Sequence, residues 1–194
     1  MPVTRIDERT ALVVVDLQNA VRAFPYTDPI TGVVAHAAAL ARAFRARGLP
    51  VVLTKVDARG GTFGRADAPA SLARRQEALP ADWNELMAEL EAADGDLVVV
   101  KRTWGAFTGT PLAGFLAERE VTQVVLCGVA TAFGVESTAR HASELGLNVT
   151  LATDAMTDMD AAAQDNSVQR VFPRLGECGS TQDILDHLGG VRYP

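Results

Sequence analysis

Three positions in this chain follow buried-looking apolar runs, and their residue types suit proton-transfer chemistry. Asp16 ends Ala11-Leu12-Val13-Val14-Val15, and Lys101 ends Leu97-Val98-Val99-Val100. Gly134 lies in Gly128-Val129-Ala130-Thr131-Ala132-Phe133-Gly134, after the apolar run 124–127. A carboxylate at the end of a buried strand is partly withdrawn from water. Its pKa rises, which fits it to hand over or take up a proton. The same aspartate can instead cap a turn. An ammonium at Lys101 lowers the Asp16 pKa or holds an anionic substrate group. Alternatively, the lysine runs its stem along the sheet edge into water. Gly134, with Phe133 and Val135, can offer helix-start N–H groups to an anion or a developing oxyanion. Glycine also lets a ligand approach the main chain closely. The other reading of Gly134 is helix–strand packing with no room for a side chain.

Neighbouring residues extend this set. Gln18 and Asn19 can orient the Asp16 carboxylate, donate to a substrate, or cap a turn. Trp104 and Phe107 flank Gly105 just beyond Lys101, where aromatics suit a flat or ring-shaped substrate or pack beneath the loop. Phe24, in a proline-containing loop, and Ala130, Thr131 and Phe133, in the turn before Gly134, complete the predicted substrate contacts.

The elements that must position these residues alternate along the chain. Strands are predicted at 11–15, 51–55, 97–101, 123–127, 148–152 and, briefly, 177–179. Helices are predicted at 31–47, 82–92, 133–145, 160–172 and 181–188. Another helix opens at Thr110, with Thr110 as N-cap and Pro111 at the first helical position. Residues 60–69 read as a glycine-rich loop, followed by a short basic helix at 72–77. Continuous β-branched runs belong to strands covered on both faces. Strands alternating with helices mean a parallel sheet with right-handed crossovers. The expected fold is therefore α/β, a Rossmann-like three-layer sandwich with helices on both faces of the sheet. Ligands of such sheets bind at the carboxyl ends of the strands.

Composition narrows the function classes. The 194 residues fit one domain, residues 1–194, and 48% are hydrophobic, enough for a core without disulfide staples. The net charge of −6 and the lack of a long basic run argue against nucleic acid and anionic membranes. No apolar stretch approaches the about 20 residues of a membrane span. The first residues carry no signal-peptide pattern. Two cysteines, Cys127 and Cys178, suggest neither a disulfide framework nor a metal site, and a reducing cytoplasm is the expected compartment. The histidines His36, His141 and His187 form no pair with metal-ligand spacing, so neither metal nor cofactor is expected.

The chain resembles the isochorismatase-like hydrolase superfamily, which also contains nicotinamidases and N-carbamoyl amide hydrolases. The resemblance rests on Val15-Asp16-Leu17-Gln18, on Lys101-Arg102-Thr103-Trp104-Gly105-Ala106-Phe107, on Gly128 through Arg140, and on Asn148 through Ala155. It implies a six-stranded Rossmann-like sheet, a homo-oligomer, a small-molecule substrate and a cis peptide at Val129-Ala130. It also implies an Asp-Lys-Cys triad on Asp16, Lys101 and position 134, where this chain has glycine. Covalent catalysis through that position is impossible. Isochorismatases also carry glycine there and need an acid but no nucleophile. The glutamine they have after strand two is missing from Thr54-Lys55-Val56-Asp57, and their Gly-Val-Tyr-Ala-His turn reads Gly-Val-Ala-Thr-Ala here. The nicotinamidase metal site needs histidines after strand two, and Asp57-Ala58-Arg59 supplies none. These features together imply a hydrolase without metal for a small, anionic or cyclic metabolite, or a binding protein that kept the pocket and lost the nucleophile.

Overall fold

The computed structural model describes residues 1–57 and 81–189. Six strands form one all-parallel sheet: β1 (Thr10–Val15), β2 (Val51–Val56), β3 (Leu97–Lys101), β4 (Gln123–Val129), β5 (Asn148–Thr157) and β6 (Glu177–Gly179). Their order is β3-β2-β1-β4-β5-β6, so the strand order reverses between β1 and β4. Among the described residues the helices are α1 (Ile30–Ala46), α2 (Leu112–Glu118), α3 (Glu136–Glu144), α4 (Ala161–Asn166), α5 (Phe172–Leu175) and α6 (Thr181–His187).

The alternation of side chains along β1 explains its unbroken apolar run. Leu12 and Val14 point into a core shared with Phe44 and Leu40 of α1 and Ile184 of α6. Ala11, Val13 and Val15 point into a second core shared with Leu112 and Leu116 of α2 and Ala139 of α3. Both faces are dry, so every position must be apolar until the strand ends. Each fully buried valine or leucine contributes about 1.5–3 kcal/mol, which locks the register of β1 against β4 from Thr10↔Gln123 to Val15↔Gly128. Gly128 is obligatory at that last pair. It has φ +112°, and a Cβ there would overlap the Val15 carbonyl oxygen. Gly128→Ala is expected to abolish soluble expression, read as loss of the folded circular-dichroism signal in any recovered protein.

Some expectations change. Residues 82–92 are not a helix but turns with a single 3₁₀ turn at Ala88–Leu90. Carbonyls a helix would consume are needed elsewhere. Asn19 N–H donates to Glu85 O, Ala20 N–H to Trp83 O, and the Lys55 ammonium to Asn84 O. β5 continues to Thr157 instead of stopping at Ala152. Its interior Asp154 is satisfied by α6, accepting from the Thr181 N–H at 2.7 Å and hydroxyl at 2.9 Å. The helix after Thr110 starts at Leu112, with Pro111 as its N-cap. The helix at 160–172 is α4, a π-turn at Ser167–Val171 and then α5. The glycine-rich loop and the basic helix at 72–77 lie outside the described residues. No helix among the described residues is long and apolar enough to cross a membrane.

Candidate active site

The switch between β1 and β4 brings the three sequence-marked positions to one edge. β1 ends at Val15, and Asp16 takes φ +53°, a left-handed conformation that aspartate tolerates better than most residues. Its carboxylate meets Lys101 from the end of β3, with Oδ2 and Nζ 2.7 Å apart. The side chains are 13% and 1% exposed. Thr54, near the end of the intervening β2, donates its hydroxyl to Asp16 Oδ1 at 2.7 Å. Burial holds the Asp16 carboxyl above the usual aspartate range, while the Lys101 charge and the hydrogen bonds from Lys101 and Thr54 pull it back down. The group therefore keeps its proton more readily than a solvated aspartate.

The ammonium of Lys101 has no proton left for a ligand. Besides Asp16, it donates to the carbonyls of Trp104 (2.6 Å) and Thr103 (3.1 Å). The sequence left open whether this lysine tunes Asp16, holds a substrate anion or ends in water. In the folded chain it is paired inside the protein.

The third part is the turn between β4 and α3. The Val129-Ala130 peptide is cis. A π-turn covers Thr131–Val135, so α3 itself starts at Glu136 and not at Phe133. The N–H groups of Phe133 and Val135 both return to the Ala130 carbonyl, at 3.1 and 3.2 Å. Of the three N–H groups expected to face a ligand, two are therefore turned inward. The turn is tightly enclosed at Gly134. A Cβ there would lie 3.0 Å from both the Val129 carbonyl oxygen and Val15 Cγ1, and 3.5 Å from the Trp104 carbonyl oxygen. Gly134→Ala is expected to cost about 1–3 kcal/mol through overpacking. Thermal unfolding reads this as about 2–4 °C per kcal/mol.

Asp158 holds this turn from the far side. Fully buried just past β5, it accepts from the Ala132 N–H at 2.7 Å and the Met159 N–H at 2.8 Å. Its carbonyl accepts from the Thr27 N–H at 2.8 Å, which ties down the loop carrying Phe24 and Tyr26. Burial, Asp158 and then Asp16 all push the Tyr26 phenol up, so this ring stands in the field of both carboxylates. Sequence reasoning missed Thr54, Asp158 and Tyr26 as site residues. The rule that singled out Asp16, a polar residue ending a buried strand, also finds Thr54. It finds Asp158 once β5 is given its true end.

The predicted substrate contacts divide. Trp104 (55% exposed) and Phe133 (40% exposed) pack edge to face, with ring centroids 5.1 Å apart. Phe24 is exposed and meets Tyr26 edge to face at 6.2 Å. Ala130 is half-buried against the α1-side core. Thr131 is fully buried, and its hydroxyl has no hydrogen-bond partner among the described residues. Phe107 lies in the core, stacked on His141 at 4.9 Å. Gln18 is also buried. Its amide oxygen accepts from the Val56 N–H at 2.7 Å, and its nitrogen donates to the Val56 and Trp83 carbonyls. It braces β2 and does not touch the Asp16 carboxylate. Asn19 bonds Asp82 at 2.7 Å. Among the described residues, no group of three His, Cys, Asp or Glu side chains is placed to hold a metal.

Fold and edge together define a Rossmann-like α/β protein with the candidate site at the topological switch point. The chain belongs to the isochorismatase family: the model described as Isochorismatase domain matches residues 10–183. It is 41% identical to the isochorismatase family protein YecD of Escherichia coli O157:H7, over 92% of this chain and 96% of that one. It is 29% identical to the ureidoacrylate amidohydrolase RutB of Variovorax paradoxus (strain S110), over 91% of this chain and 80% of that protein. An isochorismatase family protein structure from Burkholderia thailandensis superposes with a TM-score of 0.87 at 36% identity, covering 96% of this chain and 98% of that chain. Amidohydrolases are thus among the relatives.

Proposed function

We propose that this protein is a metal-free hydrolase of a small metabolite in which Asp16 is the general acid/base. The observation that carries this reading is the buried Asp16–Lys101 pair, at 2.7 Å, beside a turn with no side chain at position 134. Lys101 acts as the electrostatic partner of Asp16, and the buried Gly134 supplies no side chain to the reaction. An acyl-enzyme needs a nucleophile that glycine lacks. General acid catalysis is worth about 10²–10⁴-fold. That is adequate for a labile enol ether and meagre for an unactivated amide. For an enol ether, the Asp16 carboxyl gives its proton to the alkene carbon, and water adds to the oxocarbenium carbon. The hemiketal then breaks into ketone and alcohol, and a proton from the added water returns to Asp16.

The test is a metabolite screen by thermal shift, with turnover measured for each hit on the native protein and on Asp16→Asn. Undiminished turnover by the variant overturns the assignment. The bare Gly134 favours a second reading, a binding protein without catalysis, and hits that bind but give no product support it.

A further inference from the structure

We infer that the groove between α3 and the helical stretch of α5 is a second ligand site, which takes a small phosphate or diphosphate on Arg140, Arg170 and Arg174. No residue of the Asp16 edge lines this groove, so the inference does not rest on the reading above.

The first observation is unmatched positive charge. Every other described arginine lies within ion-pair or hydrogen-bond distance of a carboxylate or a carbonyl. Arg170 and Arg174 have no such partner among the described residues, and both are exposed. They stand four residues apart, from the π-turn at Ser167–Val171 into α5, and both line the groove. Like charges at that spacing repel one another. Acidic residues outnumber basic ones in this chain, 24 to 18. The described lining of the groove nevertheless contains no carboxylate.

The second observation is that the groove is built from ordered parts. Arg140 comes from α3. Its Nε donates to Glu136 Oε1 at 2.9 Å, and its Nη2 lies 2.9 Å from the same oxygen. The other oxygen of Glu136 accepts from the Ser167 hydroxyl at 2.6 Å, which ties α3 to the π-turn that carries Arg170. The Arg140 guanidinium is thus oriented before a ligand arrives, and it keeps further N–H groups to offer. Asn166 and Gln169, both exposed, add amide donors, while Val171 and Leu175 are half-buried and apolar. The groove volume of about 580 Å³ falls within the roughly 300–1,000 Å³ of small-molecule sites.

These features select the ligand. Glu136 matches the charge of Arg140, so the two remaining arginines call for a dianion. Guanidinium forks pair with both carboxylate and phosphate oxygens. Three forks around one groove suit the three terminal oxygens of a phosphate better than the two of a carboxylate.

The experiment titrates the full-length protein by calorimetry with pyrophosphate, ADP, adenosine and succinate at constant ionic strength. Pyrophosphate should bind, with succinate at least tenfold weaker. Arg170→Gln/Arg174→Gln should weaken pyrophosphate at least tenfold, and each single variant should give part of that loss. Both side chains are exposed, so these variants should keep the native circular-dichroism signal and Tm. Arg42→Gln removes an exposed arginine of α1 and should bind pyrophosphate like the native protein. Tighter binding of ADP than of pyrophosphate would place the phosphate on a nucleotide, and the reverse would make it a free diphosphate; either supports the site. The inference is overturned if neither binds, if adenosine binds as well as ADP, or if succinate binds as well as pyrophosphate. An equal loss in Arg42→Gln would reduce the effect to overall charge and equally overturn it. Undiminished pyrophosphate binding by the double variant also overturns it, and a smaller sedimenting species in that case would make the arginines a contact between copies.

Discussion

Lys101→Met is expected to destabilise the protein by about 3–5 kcal/mol, the range for removing one partner of a buried ion pair. Urea unfolding at neutral pH is the measurement. Methionine keeps the volume of the stem, so packing changes little and the loss belongs to the ammonium. Three acceptors lose their donor at once: Asp16 Oδ2 and the carbonyls of Trp104 and Thr103. The Lys101 side chain is 1% exposed, so water does not readily replace the lost bonds. The carboxyl also loses the largest influence holding its pKa down and moves further up. The double variant Asp16→Asn/Lys101→Met removes both charges. It should recover part of the loss, a coupling of about 0.5–3 kcal/mol in a double-mutant cycle. Strictly additive losses would mean that the two groups do not interact.

Asp16→Asn is expected to reduce turnover of any true substrate by about 10²–10⁴-fold, and the pH profile of the native enzyme reports the reason. An acid works only while protonated. Because the folded Asp16 pKa is raised, the rate should hold above the ordinary aspartate pKa of about 3.9 and fall as pH rises through the raised value. Stability follows the same sign. A carboxyl that binds its proton more tightly when folded contributes stability fully present below its unfolded pKa and lost as pH rises through the folded one. Thr54→Val removes a hydrogen bond to Asp16 Oδ1 without changing side-chain shape much. It should move the falling limb to higher pH, a shift that a purely structural threonine would not produce. Carbon-13 NMR of the Asp16 carboxyl measures the same pKa without a substrate. A rate that instead rises with pH through that midpoint would make Asp16 a base and refute the acid mechanism.

The middle of the sheet was legible because its strands are dry on both faces. Such a strand must be apolar at every position, so Leu12 through Val15 and Val124 through Cys127 mark themselves, and the first polar residue beyond marks the edge. That logic led to Asp16; Lys101 follows a similar apolar run, but β3 is an edge strand whose Val98 and Val100 are exposed. The same logic failed at β5, where Asp154 is polar inside a strand because Thr181 satisfies it from another element. With the strand cut short, Asp158 went unseen. Residues 82–92 carry a helical pattern, but their main chain serves Asn19, Ala20 and Lys55, partners invisible to any local reading.

The linear chain by itself determined which segments are buried, where each ends, and which chemical groups stand at those ends. These follow from local solvation, since apolar runs of that length are unstable in water. Only the tertiary structure decided what those groups are free to do. Lys101 is fully engaged, Gln18 is spent bracing β2, Phe107 is inside and Trp104 is outside. A polar atom's availability depends on which distant main-chain atoms reach it, and the arrival of Thr54, Trp83 and Asp158 at this edge is a property of the packed fold alone.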